Sequence, residues 1–343
     1  MKAANREPAS GEPTIVPDRA ATVEASSRWI SGSGRANGGA GVTAIWDRRL
    51  VLVTGKGGVG KTAVTAALAR AAHAAGKRVM VAEVTPDVHT PSPVLSLFGH
   101  PRPKGEDPVD IAPRLRGVRL APTSGHRILL RKALKVGLLV DTALKSAALT
   151  RFLSAAPTFP EIGILFQLVT LLRDAKDDHL IVDLPATGHA VSLVSLPKTV
   201  VRVIPSGLIG ESLSEVLAKM SDPKHTRAVV VTLPEQLPVS ETVELVAALG
   251  AQGLHVGAAV LNRVPSTPFL PTELSALRAW IDENNPPLLG AKELRKLERA
   301  LQAKETFYAQ VPNTASRSEL PLFDGLDDRQ VVERMAKVLG EVS

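Results

Sequence analysis

The sequence predicts an α/β fold, a mostly parallel sheet covered by helices on both faces, with a helical insertion. Three observations carry this. Short runs rich in Val, Ile and Leu recur along the chain at residues 50–53, 77–84, 179–183, 200–204, 227–233 and 255–264. Such runs read as strands buried on both faces. Stretches of helical composition separate them, and alternation of the two element types builds a parallel sheet. Finally, residues 127–172 are too long a helical stretch for one crossover, so roughly 100–176 is read as an insertion.

In chain order, residues 1–45 are rich in Ala, Gly, Ser, Pro and Glu and poor in large apolar side chains. They lack the apolar surface to offset the entropy of ordering, and a disordered tail is expected. The body then spans 46–343. Its first strand, 50–53, breaks into "TGKGGVGKT", and an alanine-rich helix follows until Gly76. Strand, glycine loop, Lys-Thr and helix satisfy the pattern G-x-x-x-x-G-K-[ST] in the setting it needs. Backbone N–H groups can surround a polyphosphate only where no Cβ intervenes, hence Gly55, Gly57, Gly58 and Gly60. Val59 and Ala63 complete the loop, and the start of the helix adds its positive dipole end. Lys61 is expected at the β- and γ-phosphates of ATP, and the Thr62 hydroxyl on Mg²⁺.

A second strand, 77–84, is followed by loop residues 85–99, and residues 101–111 carry three prolines. "GVRLAPTSG" offers a further strand before the helical stretch, which breaks near 156–160. Asp183 ends the strand 179–183. The apolar residues Leu180, Ile181 and Val182 aim it at the mouth of the sheet, where it would hold a water on Mg²⁺. Residues 200–204, 227–233 and 255–264 continue the sheet. The helix in 238–253 is capped by Ser240 and stopped by Gly250 or Gly253. Residues 271–304 read as helical, "FYAQV" (307–311) as a last strand and 327–341 as a closing helix.

Composition narrows the function classes. With 44% hydrophobic and 22% charged residues the chain can bury a large core. Zero cysteines exclude disulfides, thiolate zinc sites and a cysteine nucleophile. The eight histidines show no metal-ligand spacing. No apolar run approaches the roughly 20 residues of a membrane span, and no apolar run follows residues 1–6 as in a secretory signal. A cytoplasmic location is the expectation. Residues 101–151 hold eleven Lys and Arg against four acids, which accounts for the whole formal charge of +7. Arg127, Arg131 and Lys135 share one helical stripe opposite Leu129, Ala133, Val136 and Val140, a face suited to a protein client or acidic partner if it is not simply solvated. With 3% aromatics, stacking on nucleic-acid bases has little to work with.

"GKGGVGK", with Lys56 directly after the first glycine, resembles the deviant phosphate loop of a class of dimeric ATPases. "VDLPATGHAVSLVSLP" (182–197) is similar to the second switch of the arsenical-pump and tail-anchored-protein-targeting ATPases within that class. The resemblance covers about 48–341. It implies a homodimer with ATP at the interface, Lys56 reaching the partner's nucleotide, and Thr187, Gly188 and His189 in a γ-phosphate-sensing switch. It also implies Asn262 at the adenine edge and Pro312 against the base. The family's first-switch aspartate falls at Thr85, with Pro86 retained; Glu83 and Asp87 lie close but out of register. Slow hydrolysis follows, with Asp87 as a substitute carboxylate. The alternatives are an ATP-dependent dimerisation scaffold without turnover and a positioning or partition ATPase.

Overall fold

A computed structural model describes residues 45–102, 106–134, 159–175, 178–203, 205–284 and 289–341. The expected tail and the centre of the insertion, including Lys135, Val136 and Val140, lie outside these residues.

Among the described residues eight strands form one sheet: β1 Leu50–Gly55, β2 Val79–Val84, β3 Val109–Ala112, β4 Leu115–Leu120, β5 His179–Asp183, β6 Thr226–Thr232, β7 Val256–Val264 and β8 Ser316–Pro321. Their order is β3-β4-β2-β5-β1-β6-β7-β8, and only the β3–β4 pair is antiparallel. β1 is therefore central, in register with β5 (Val53 opposite Asp183) and with β6 (Gly55 opposite Val231). Every residue of β1 is buried, and its side chains alternate between two cores. Leu50 and Leu52 join the core on one face; Val51 and Val53 join the core on the other.

One face is covered by α1 (Lys61–Ala74), the short α2 (Pro93–Ser96) and the last helix, α10 (Asp328–Glu341). Ala66, Ala67, Ala69 and Ala72 are fully buried, so α1 lies close against the sheet on small side chains. The other face carries α3 (Pro122–Leu134), α4 (Phe159–Asp174), α5 (Thr187–Val203), α6 (Gly207–Ser221) and α7 (Gln236–Ala251). The α3–α4 crossing is made by backbone, since a Cβ on Gly125 would stand 1.6 Å from the Gly163 carbonyl oxygen. α8 (Pro271–Asn284) and α9 (Leu289–Gln310) pair through Leu274, Ile281 and Leu294.

Three local expectations are corrected. Residues 200–203 form the last turn of α5 and not a strand; Val203 is 76% exposed, whereas a central strand would be covered on both faces. Residues 307–310 belong to α9, because Ala303, Phe307 and Val311 are buried at a spacing of four, a helical face. Within 100–176, β3 and β4 extend the main sheet, and the helices α3 and α4 follow them.

Candidate functional site: a glycine loop facing a buried aspartate

β1 ends at Gly55, whose φ of +150° and close approach to Val231 admit no side chain: a Cβ would sit 2.2 Å from the Val231 carbonyl oxygen. The loop closes at Gly60, the N-cap of α1, with φ 93°. No side chain caps this helix and its first turn holds no acid, so its N–H groups face the loop without a competing anion. At Gly57 and Gly58 a Cβ would meet nothing within 4 Å, and both residues are exposed. The cradle is open on the side where a phosphate would enter.

Lys61 and Thr62 begin α1 and converge with Asp183. The Thr62 hydroxyl donates to Asp183 Oδ2 at 2.8 Å, and the Thr65 hydroxyl, one turn on, donates to Oδ1 at 3.3 Å. Burial pushes the Asp183 carboxyl up to about 6, against the opposing effects of Thr62, Lys61 and Thr65. Burial likewise lowers the pKa of Lys61, opposed by the Asp183 charge. Its Nζ donates to the Lys56 carbonyl oxygen at 2.9 Å. A desolvated ammonium, a desolvated carboxylate and two hydroxyls at an uncapped helix start suit a polyphosphate carrying a hard divalent cation. Among the described residues no cluster of three His, Asp or Glu could hold a metal alone, so phosphate and water would supply the other ligands.

The Lys56 Nζ donates to Glu241 Oε1 on α7 at 2.7 Å. Thr85 is 2% exposed, and its hydroxyl donates to the Asp87 carbonyl oxygen at 2.9 Å. Glu83, opposite Asp183 in the sheet, is pushed up to about 7 chiefly by burial. It accepts hydrogen bonds from Ser92 Oγ and the Val94 N–H, which fasten the start of α2. Asp87 is different. It lies near the surface, and the N–H groups of Thr90 and His89, both 2.7 Å from its Oδ1, hold its carboxyl below the ordinary range. Pro86 is exposed beside it. Thr187, Gly188 and His189 form the first turn of α5, with Gly188 and His189 exposed.

Of two expected nucleotide contacts, Asn262 lies beside the loop and Pro312 does not. Asn262 is fully buried: its Nδ2 donates to the Val59 carbonyl oxygen at 2.8 Å and its Oδ1 accepts from the Arg263 N–H. It braces the loop through the Val59 carbonyl. Pro312 precedes β8, which runs parallel to β7, so it lies at the end of the sheet away from the loop. The proline on the loop's side is Pro321, opposite Val264; Leu322 follows it, 44% exposed, its N–H bonded to the Val264 carbonyl oxygen. "ELPLF" carried that signal, as a strand ending in proline. Thr65, three residues after Thr62 on a helix, was also legible by spacing. Glu241 was not, since a carboxylate 185 positions from Lys56 has no local signature.

A glycine loop between the central strand and an uncapped helix, with an aspartate ending the neighbouring strand, defines a phosphate-loop nucleotide-binding α/β fold. Residues 48–206 match the family model described as anion-transporting ATPase. The chain is 28% identical over 226 residues to ATPase BagA of Mycobacterium tuberculosis, which covers 63% of this chain and 65% of that protein. It is 26% identical over 269 residues to an arsenical pump-driving ATPase of Escherichia coli, 78% of this chain and 42% of the other. A Paramecium tetraurelia protein named ATPase ASNA1 homolog 1 is 25% identical over 252 residues, 62% and 74% of the two chains. The family resemblance drawn from residues 50–62 and 182–197 therefore holds: over that stretch the chain is similar to the anion-transporting ATPases. It spans less than two thirds of its mycobacterial and bacterial-pump relatives.

Proposed function

We propose that the chain binds ATP with Mg²⁺ in the glycine cradle, hydrolyses it slowly as a cytoplasmic homodimer, and couples nucleotide state to a protein partner through the insertion at about 100–176. The observation that carries the reading is the convergence of Lys61, Thr62 and Asp183 at the mouth of the loop. Loop N–H groups and Lys61 would bind the β- and γ-phosphates, Thr62 would ligate Mg²⁺, and Asp183 would hold a water of its shell. Bound there, the cation would neutralise charge developing on the phosphoryl oxygens. Asp87, ionised and near the surface, is the carboxylate suited to orient the attacking water. Lys56 would act on the nucleotide of a second copy, as the deviant loop implies. The base would rest against Pro321 and Leu322 at the end of β8. The names of the pump relatives suggest anion transport, but a chain without cysteine lacks thiolates for a soft oxyanion such as arsenite.

A second reading, binding without turnover, is favoured by Thr85, whose buried hydroxyl is committed to Asp87. Thermal shift and phosphate release together decide. Wild type should be stabilised by Mg-ATP, and Lys61→Ala should lose that stabilisation; an unchanged shift in the variant would falsify the site. Stabilisation without phosphate release over hours establishes the scaffold.

A further inference from the structure

We propose that Glu241 is the positioning residue for Lys56, holding it on its own subunit so that a second copy can engage only when this ion pair opens. The inference rests on the reading of Lys56 as a lysine that acts across a dimer. Lys56 Nζ and Glu241 Oε1 are 2.7 Å apart, with side-chain exposures of 41% and 34%. The other carboxylate oxygen, Oε2, is buried and accepts no hydrogen bond. Glu241 is thus oriented by its contact with Lys56, and freeing the lysine leaves a half-buried carboxylate uncompensated.

Residue 56 is held at both ends. Its carbonyl oxygen accepts from Lys61 Nζ at 2.9 Å while its ammonium group is held by Glu241. A phosphate in the cradle draws Lys61 away and removes the first of these bonds, so loop occupancy loosens the residue that carries the second. The surroundings point to a second copy as the occupant. Leu237, one turn before Glu241 on α7, is 62% exposed, and Gly57 and Gly58 beside Lys56 are exposed. An unpartnered leucine beside a lysine whose proposed target is another copy's phosphate is the pairing a self-complementary face requires.

The test uses the full chain and two variants. Glu241→Gln keeps the shape and removes the charge; Glu241→Asp keeps the charge but is one methylene too short to close the contact. Sedimentation with a non-hydrolysable ATP analogue should show Glu241→Gln dimerising at a concentration about two- to thirtyfold lower than wild type, since each dimer opens two half-exposed ion pairs. Glu241→Asp should shift in the same direction. Independently, in dilute nucleotide-free protein, acetic anhydride should modify Lys56 faster in Glu241→Gln than in wild type. A dimer no tighter than wild type, or unchanged Lys56 labelling, overturns the proposal. A wild-type chain that binds the analogue but never dimerises overturns both the latch and the dimer while leaving the ATP site standing.

Discussion

Asp183→Asn should stabilise the metal-free protein while abolishing its response to Mg-ATP. Burial holds the carboxyl at about 6 against an ordinary 3.8. At 1.36 kcal/mol for each pKa unit, keeping it ionised costs about 3 kcal/mol of folding stability. Asparagine removes that charge but accepts less well from Thr62 and Thr65, and each such bond is worth about 1 kcal/mol. The expected net gain is roughly 1–2 kcal/mol, a rise in Tm of about 2–6 °C for a body of this size. The pH dependence follows from both carboxylates. Asp183 and Glu83 retain protons in the folded chain to about 6 and about 7, beyond their ordinary 3.8 and 4.5. The folded state therefore binds more protons than the unfolded one across that interval. Stability is full below the lower values and is lost as pH rises through the higher ones. Asp183→Asn should flatten the part between about pH 4 and 6. Urea unfolding in chelator at a series of pH values reads this, followed by thermal shift with Mg-ATP. A variant less stable than wild type at pH 8, an unchanged slope, or a wild-type response to Mg-ATP refutes the reasoning.

Four further outcomes are expected. Gly55→Ala, which sets a methyl 2.2 Å from the Val231 carbonyl oxygen, should cost about 2–4 kcal/mol in urea unfolding. Asp87→Ala should slow single-turnover phosphate release at least about tenfold without loss of ATP affinity, whereas Thr85→Asp, which buries another carboxylate near Glu83, should lower Tm and give no gain in rate; a faster Thr85→Asp enzyme refutes the assignment of Asp87. Leu322→Asp should weaken ATP and ADP about equally in calorimetry with little change in Tm, since the side chain is 44% exposed.

What the sequence disclosed follows the range of the interactions involved. The loop, Lys61, Thr62 and Asp183 were legible because strand, glycine turn and helix start are written within a dozen residues, and the acid ends its own apolar run. Strands buried on both faces were equally plain. Apolar runs at 200–204 and 307–311 misled because a β-branched or aromatic run in the last turn of a helix resembles a short strand until its neighbours are known. Pro312 was misplaced for want of the β7–β8 register, which decides which end of a strand faces the loop. The Lys56–Glu241 pair depends on tertiary proximity alone.

The central place of β1 also governs when the loop can form during synthesis. Leu50 pairs with Leu180 and with Thr226, and neither neighbour is encoded near it. At about 5–20 residues per second, a ribosome needs roughly 10–35 s to reach the end of β6 after completing β1. Until β5 emerges, an uncharged segment rich in Val and Leu has neither of its partner strands to lie against, the condition in which nascent chains are most open to chaperones and to mispairing. The glycine cradle cannot be held in shape before Val231 has emerged beside Gly55. Nucleotide can therefore stabilise the finished body but cannot nucleate it.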